Sequence, residues 1–215
     1  MTVKQVLFDF DGVLADTNEI RNDGFMELLK GYPSELLEKM ADYVRANPGL
    51  SRYRKLDHFH GELLGRPITE EVRTKMAGQY SAIVKQRVIE AAPISGSLAF
   101  MQAYLGVLTM ALISGSDQTE LRAVCAARGI RHYFSDILGS PVDKEDNLAE
   151  LLGRRGWREA ECVYVGDGIN DLEACRKVGI PFIGRQSGMI DWRTLEPNVA
   201  VIEDIGGLKQ ALTQF

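Results

Sequence analysis

The chain has 215 residues, of which 45% are hydrophobic and 26% charged, and its formal net charge at pH 7 is −5. This negative balance argues against a general nucleic-acid binder, which needs a basic face for phosphate contacts. No run approaches the roughly 20 apolar residues that cross a bilayer, and the first residues lack the pattern of a secretory signal. We therefore expect a cytoplasmic globular protein, monomeric or homodimeric, with neither nucleic acid nor a membrane as its partner.

The first predicted strand, residues 3–10, is followed by a long helical region. Helix-like segments fill residues 18–90, with turns at 31–33, 47–49 and 65–67 that are rich in Gly and Pro. An ordinary connection between two strands is far shorter than this region. We therefore expect residues 18–90 to form a helical cap domain, inserted after the first strand.

From residue 91 onward, short apolar runs alternate with helical segments. The runs are typical of buried strands, because they are brief, rich in Val, Ile and Phe, and bounded by Gly, Asp or Ser. They cover residues 107–113, 161–167, 180–184 and 198–204, with helical periodicity at 95–105, 119–129, 146–156 and 170–179. This alternation predicts a doubly wound, Rossmann-like parallel sheet in an α/β fold, with helices on both faces. The expected core domain comprises residues 1–17 and 91–215.

Polar residues stand where the predicted strands stop. Ligands of an open parallel sheet bind outside the carboxyl ends of its strands, so residues at these positions are candidates for one shared site. The candidates are Asp9 and Asp11 after the first strand, Ser114 and Gly115 after the second, Lys144 after the segment FSDILGSPVD, and Asp167 and Asp171 in GDGIND. Together they would surround a single crevice.

The four aspartates suggest a metal. Asp9 and Asp11 lie two residues apart, so the alternation of a strand sends both side chains to the same side. Carboxylates this close need a positive partner, and Mg²⁺ is a hard cation that takes oxygen ligands from carboxylates, phosphate and water. Asp9 and Asp167 could supply the carboxylates, with Asp171 behind them.

The remaining candidates suit a phosphate group. The Ser114 hydroxyl and the Gly115 amide are donors for phosphoryl oxygens, and Lys144 adds positive charge beside a nucleophilic carboxylate. Taken singly, each motif also fits a turn, a helix N-cap or a solvated lysine. Their order along the chain, each at the carboxyl end of a strand, favours a phosphate site.

Four segments together resemble the haloacid dehalogenase superfamily of hydrolases. They are DFDGVLADT (9–17), ISGS (113–116), SPVDKEDNL (140–148) with Lys144, and GDGIND (166–171). The insertion after the first motif is similar to that of the subfamily with a helical cap, such as phosphoglycolate phosphatase and β-phosphoglucomutase. The resemblance therefore covers the core and the position of the cap.

The resemblance implies a role for each matched residue. Asp9 would be the nucleophile that forms an aspartyl-phosphate, and Asp11 the acid that protonates the leaving oxygen and then the base that activates water. Ser114 and Lys144 would bind the phosphoryl group. The implied ligands of Mg²⁺ are Asp9, the backbone carbonyl of Asp11, and Asp167, with Asp171 in support.

Within the superfamily, the second aspartate favours phosphoryl transfer. Dehalogenases do not use an Asp two positions after the nucleophile and need no metal, so Asp11 favours a Mg²⁺-dependent phosphatase for a small phosphorylated metabolite, either a sugar phosphate or a phosphoglycolate-like compound. A β-phosphoglucomutase-like mutase stays open, because GLSRYRKL (49–56) resembles its phosphate-contacting segment. The mutase pattern has a histidine on the first cap helix, where this chain has Ile20 and Arg21. A third hypothesis is a non-catalytic protein that binds a phosphorylated metabolite.

Substrate choice is expected to lie in the cap, which would close over the site. Arg52 and Lys55 are three residues apart, on one face if helical, and could contact an anionic group of the substrate. Arg21, just past the first motif, could point into the cleft. All three positions also fit solvated side chains.

Overall fold

One parallel sheet organises the molecule. A computed structural model describes residues 3–215. Its strands are β1 (Gln5–Phe8), β2 (Thr109–Asp117), β3 (Phe134–Ser140), β4 (Cys162–Gly166), β5 (Phe182–Arg185) and β6 (Ala200–Ile202). They pair in parallel in the order β3-β2-β1-β4-β5-β6. This confirms the predicted doubly wound, Rossmann-like α/β fold, with β1 at the point where the strand order reverses.

Strand β3 is an edge strand that the hydrophobic pattern did not predict. Its sequence, FSDILGS, carries Asp136 and Gly139 in place of a continuous apolar run. Arg154 and Arg155 each lie 2.9 Å from an oxygen of Asp136, so the charged residue is neutralised by the following helix. A strand at the edge of a sheet tolerates such a residue because one side of it has no neighbouring strand.

Ten α-helices surround the sheet in the described part of the chain. They are α1 (Asn18–Leu29), α2 (Ser34–Ala46), α3 (Arg52–His58), α4 (Glu70–Glu90), α5 (Ser97–Tyr104), α6 (Gln118–Ala127), α7 (Lys144–Arg155), α8 (Ile169–Val178), α9 (Trp192–Leu195) and α10 (Leu208–Ala211). A π-helical turn, Phe59–Leu63, continues α3. Short 3₁₀ turns occur at Arg131–Tyr133, Glu159–Glu161, Ile205–Gly207 and Leu212–Gln214. None of these helices combines the length and the apolar character that a membrane span requires.

Residues 18–90 are helical, as predicted, and we refer to them as the insert. Side-chain caps begin two of its helices, with Ser51 accepting from the amide of Arg54 and Thr69 from that of Val72. Helices α1 and α4 lie close together at Gly24, where a β-carbon would be 2.3 Å from Cγ1 of Val84. The glycine therefore sets the distance between these two helices.

The insert packs on one face of the sheet. A single cluster of buried residues includes Phe25, Leu29 and Val84 from the insert together with Phe8 and Phe10 from the first strand and its exit. The opposite face packs against α7 and α8. There, Leu7, Leu148 and Tyr164 belong to a second cluster, as expected from the alternation of side chains along β1.

Candidate functional site

The carboxyl ends of β1 and β4 bring three aspartates together. Asp9 follows β1 directly, Asp167 follows β4, and Asp171 lies in the first turn of α8. All three are buried, and one carboxylate oxygen of each lies within 4.8 Å of the others. The structure therefore brings together three of the four aspartates named from the ends of the predicted strands.

Asp171 is held by hydrogen bonds to both of its carboxylate oxygens. Oδ1 accepts from Nζ of Lys144 and from the hydroxyl of Tyr164 at 3.0 Å, and Oδ2 accepts from the amide of Gly168 at 2.9 Å. Nζ of Lys144 also lies 3.4 Å from Oδ2 of Asp9. Asp171 thus fixes the ammonium of Lys144 beside Asp9.

Asp9 and Asp167 each have one carboxylate oxygen that accepts no hydrogen bond within residues 3–215. Oδ1 of Asp9 accepts from the amide of Phe10 at 2.8 Å, and Oδ2 of Asp167 accepts from Nδ2 of Asn18 at 2.7 Å. The buried Oδ2 of Asp9 and Oδ1 of Asp167 accept none, and only the Lys144 ammonium, 3.4 Å from Oδ2 of Asp9, pairs with the former. Buried carboxylate oxygens normally have partners, so the pair fits a hard cation such as Mg²⁺.

Burial raises the pKa values of these two carboxyl groups. Burial raises the pKa of Asp9 to about 8, because Lys144 offsets only part of the cost and the Asp171 charge adds to it. Burial, with a further contribution from the Asp171 charge, raises the pKa of Asp167 to about 6. A bound cation would favour the ionised form of both groups.

Gly12 allows the chain to leave β1 close to Asp167. Its φ angle of +69° is in the left-handed region, and a β-carbon at this position would lie 2.1 Å from Oδ2 of Asp167. Both observations require glycine here. The Gly of the Asp-x-Asp-Gly motif is thus needed for the aspartates of β1 and β4 to meet.

Asp11 does not belong to the three-aspartate cluster, and it accepts three hydrogen bonds. The donors are Oγ1 of Thr17 at 2.5 Å, Oγ of Ser116 at 2.6 Å and Nε of Arg21 at 2.9 Å. Burial by itself would raise the pKa of Asp11, but the Arg21 charge and the two hydroxyl donors outweigh burial, and the net pKa is lowered. The group is therefore ionised and firmly oriented in this arrangement.

Glu120 on α6 links two arginines of the insert to the core. Its oxygens accept from Nη1 of Arg21 at 2.6 Å and, in a two-pronged contact, from Nη1 and Nη2 of Arg52 at 2.9 Å each. Arg52 also donates to Ser81. Burial opposes ionisation of Glu120, but the arginines prevail and lower its pKa to about 2. Arg52 was expected to contact substrate, whereas here Glu120 and Ser81 take its hydrogen bonds.

A small cavity lies between the insert and the carboxyl end of β2. Its lining includes Asp11, Arg21, Lys55, Gly115 and Ser116. Ser114, also predicted to contact phosphate, is buried next to it, and its Oγ accepts from the amide of Ser116 at 3.2 Å. The structure therefore brings the predicted insert residues Arg21 and Lys55 to the same side of the site as Asp11.

Sequence reasoning did not assign roles to several residues that shape the site. Thr17 and Ser116 both lie within the quoted motifs, so their hydroxyls could have been considered as partners for Asp11. Glu120 and Tyr164 had no such signal, because Glu120 is 99 residues from Arg21 and 68 from Arg52, and Tyr164 is an ordinary apolar position of a buried strand.

Comparisons with known proteins agree on one family. The family model described as "Haloacid dehalogenase-like hydrolase" matches residues 6–185. "Probable phosphatase IndB" of Dickeya dadantii is 27% identical over 98% of this chain and 95% of its own length. A "Phosphoglycolate phosphatase" of Photorhabdus laumondii is 25% identical over 86% of this chain and 81% of its own length.

Solved structures share the fold at low sequence identity. The crystal structure of β-phosphoglucomutase from Clostridium difficile superposes with a TM-score of 0.76 at 15% identity, covering 99% of this chain and 98% of the other. At this identity the likeness concerns the fold alone, which phosphatases and mutases have in common.

Proposed function

Because the chain belongs to the family of haloacid dehalogenase-like hydrolases, we propose that it is a Mg²⁺-dependent phosphatase that acts on a small phosphorylated metabolite through an aspartyl-phosphate. The observation that carries this proposal is the setting of Asp9. It is buried between Lys144 and Asp167, and its Oδ2 accepts no hydrogen bond within residues 3–215 while lying 3.4 Å from the Lys144 ammonium.

In the first step, a carboxylate oxygen of Asp9 attacks phosphorus, and the bond from phosphorus to the leaving oxygen breaks. Lys144, Ser114 and the Gly115 amide bind the phosphoryl oxygens, where negative charge develops. Since Asp171 fixes Lys144, the ammonium is oriented before substrate arrives. Asp9 and Asp167, with the backbone carbonyl of Asp11, would hold Mg²⁺, which when bound offsets the charge of the carboxylate and the phosphate.

Asp11 handles the proton in both steps. To protonate the leaving oxygen, Asp11 must first give up its contact with Arg21 and take up a proton from water or from the phosphate group of the substrate. It then takes a proton from the water that hydrolyses the aspartyl-phosphate. The ionised form, which Arg21, Thr17 and Ser116 stabilise, is the form that this second role requires.

We propose that residues 1–17 and 91–215 act as the core domain and residues 18–90 as a cap. The cap would exclude water from the reacting phosphate and contribute to substrate choice. Supporting this, residues of α1 and α3 line the cavity next to Asp11. A phosphoglycolate-like compound or a sugar phosphate is the proposed substrate, and the name of the Photorhabdus relative supports the former.

A β-phosphoglucomutase-like mutase is the second candidate, supported by the Gly-x-Ser-Arg segment at 49–52. A mutase needs a further acid/base group in the cap. Ile20 and Arg21 stand at the expected position. Ile20 has no titratable group, and the charges of Asp11 and Glu120 outweigh burial and raise the pKa of the Arg21 guanidinium further. A group that stays protonated cannot exchange a proton, so hydrolysis is favoured.

The test is a panel of phosphate monoesters, assayed for released phosphate with and without Mg²⁺, using the wild-type chain and Asp9→Asn. The proposal predicts metal-dependent release that the variant lacks. Release without metal, or undiminished release by Asp9→Asn, contradicts it. Interconversion of sugar 1- and 6-phosphates with little free phosphate would indicate the mutase, and ligand binding without turnover the non-catalytic hypothesis.

A further inference from the structure

Lys55 is a buried cation at the edge of the site. It lies on α3, its relative exposure is 5%, and its side chain lines the cavity that also borders Asp11, Gly115 and Ser116. Its ammonium is 5.6 Å from the centre of the Phe25 ring, an aromatic contact that is weaker than an ion pair. Lys55 as a residue is therefore largely buried, and it borders the same cavity as Asp11.

The other buried cations of the site have anionic partners in the chain. Arg21 bonds to Asp11 and Glu120, Arg52 to Glu120, and Lys144 to Asp171. For Lys55, no carboxylate in residues 3–215 lies within 4 Å, and no hydrogen bond from its ammonium occurs in this part of the chain. A buried charge without an ion-pair partner is unfavourable. Burial, with the charges of Arg21 and Arg52, lowers the pKa of Lys55 to about 8, and the charge of Asp11 offsets only part of this effect.

The position of Lys55 suggests which part of a substrate would supply the missing anion. Lys144 approaches Asp9 from the core and is suited to the transferred phosphoryl group. Lys55 comes from the insert, beside Asp11, the group proposed to protonate the leaving oxygen. An anion that meets Lys55 would therefore belong to the leaving portion of the substrate.

The chemistry of the cavity favours a charged group in that portion. Its volume is about 40 Å³, enough to hold a few water-sized groups. A carboxylate one carbon from the leaving oxygen can pair with Lys55 there, whereas the neutral hydroxyl groups of a sugar would leave the Lys55 charge without a counter-ion.

We propose that Lys55 binds a carboxylate on the leaving portion of the substrate and thereby selects short phosphorylated carboxylic acids over neutral phosphate esters. This inference rests on the proposed phosphatase function and adds to it a substrate class and the residue that recognises it. Arg52 is not the residue that recognises the carboxylate, because Nη1 and Nη2 of its guanidinium both donate to Glu120.

The kinetic experiment compares two substrates of nearly equal size, 2-phosphoglycolate and 2-hydroxyethyl phosphate, with wild type, Lys55→Met, Lys55→Arg and Lys75→Met. Lys75 is an exposed lysine of the same insert and serves as the matched control. Loss of one ionic hydrogen bond should lower kcat/KM of Lys55→Met for phosphoglycolate by about tenfold to a hundredfold. The same variant should lose less activity toward hydroxyethyl phosphate, so that its preference for phosphoglycolate over this ester falls, and Lys55→Arg should recover part of the preference.

A binding experiment gives an answer that does not depend on turnover. Phosphonoacetate carries a phosphate-like group and a carboxylate and cannot be hydrolysed as an ester, so its affinity for each variant can be measured by calorimetry in Mg²⁺. Weaker binding to Lys55→Met than to Lys75→Met supports the proposal. Equal affinity overturns it, as does an equal loss of activity toward both substrates in Lys55→Met.

The two proposals fail in different ways. If several neutral monoesters are hydrolysed well and phosphoglycolate is not, the Lys55 proposal is wrong and the phosphatase function stands. If no monoester is hydrolysed in Mg²⁺ but phosphonoacetate binds in a Lys55-dependent manner, the catalytic proposal is wrong and the carboxylate subsite stands.

Discussion

A β-carbon placed on Gly115 would lie 1.9 Å from the carbonyl oxygen of Gly49. The loop between α2 and α3 thus rests directly on the backbone at the end of β2. Gly168 shows the same relationship, since its β-carbon would lie 2.7 Å from the carbonyl oxygen of Pro48. Two core glycines therefore form the surface on which this loop of the insert sits.

Gly115→Ala is expected to displace the loop of the insert while keeping the backbone amide proposed to bind phosphate. Overpacking of this kind costs about 1–3 kcal/mol, so kcat/KM should fall about tenfold or more. Steady-state kinetics on whichever monoester is turned over provide the measurement. The matched control is Gly153→Ala, since nothing lies within 4 Å of a β-carbon at that position of α7; similar losses in both variants would count against the contact with Gly49.

Glu120→Gln is expected to destabilise the protein strongly, because it leaves Arg21 and Arg52 buried without their shared carboxylate. Breaking a buried ion pair on one side typically costs about 3–5 kcal/mol. Chemical denaturation at pH 7 measures the change in the free energy of unfolding. Glu150→Gln, which affects a half-exposed pair with Arg154, should change this quantity by less than about 1 kcal/mol.

The contribution of Glu120 should also depend on pH. Its pKa is about 2 in the folded protein against an ordinary value of 4.5, so the unfolded chain binds the proton more readily. The stabilisation is therefore fully present above pH 4.5 and is lost as the pH falls toward 2. The difference in unfolding free energy between wild type and Glu120→Gln should narrow between pH 5 and pH 3; a constant difference would contradict the assignment.

Lys55→Met is expected to stabilise the substrate-free protein. The pKa of Lys55 is about 8 in the folded protein, against an ordinary value of 10.5. Between pH 8 and pH 10.5 the unfolded chain therefore binds more protons than the folded protein. The free energy of unfolding of the wild type rises with pH across this range. Removing the charge should raise the free energy of unfolding at pH 7 by roughly 1–3 kcal/mol, and this gain should shrink by pH 10. Lys75→Met, on the surface, should show neither effect in the same denaturation series.

Mg²⁺ is expected to raise Tm through Asp9 and Asp167. A ligand present at 100 times its Kd stabilises the folded state by about 2.7 kcal/mol, which for a chain of this length corresponds to a rise of several degrees. Asp167→Asn should lose the Mg²⁺-dependent rise in a thermal melt. The exposed Asp42→Asn should keep it, and an unchanged rise in Asp167→Asn would exclude Asp167 as a ligand.

The fold and the centre of the site follow from local sequence, whereas the contacts of the insert do not. Asp9, Asp167 and Asp171 were placed together because parallel strands end at one edge of a sheet, a rule that needs only the order of strands. The apolar pattern does not predict strand β3, because Asp136 interrupts it. The arginines that neutralise the charge of Asp136 come from helix α7.

The partners of Arg21 and Arg52 could not be predicted for a related reason. Both were expected to face an anionic substrate, since a cationic side chain near a phosphate site has that chemistry. Glu120, however, is brought to them only by the packing of α6 against the insert, and no spacing in the sequence marks it. Local patterns identify charges, but tertiary packing decides which charges are already neutralised.

The ion cluster of Arg21, Arg52 and Glu120 has a consequence for how such an enzyme changes over time. Both arginines pair with Glu120, so a substitution of Glu120 leaves two buried charges without their shared carboxylate. Lys55 makes no ion pair with a carboxylate in residues 3–215. A single substitution of Lys55 can therefore change which leaving groups are accepted without disturbing the contacts between the insert and the core. Substrate specificity can change by one substitution, although the surrounding ion pairs cannot.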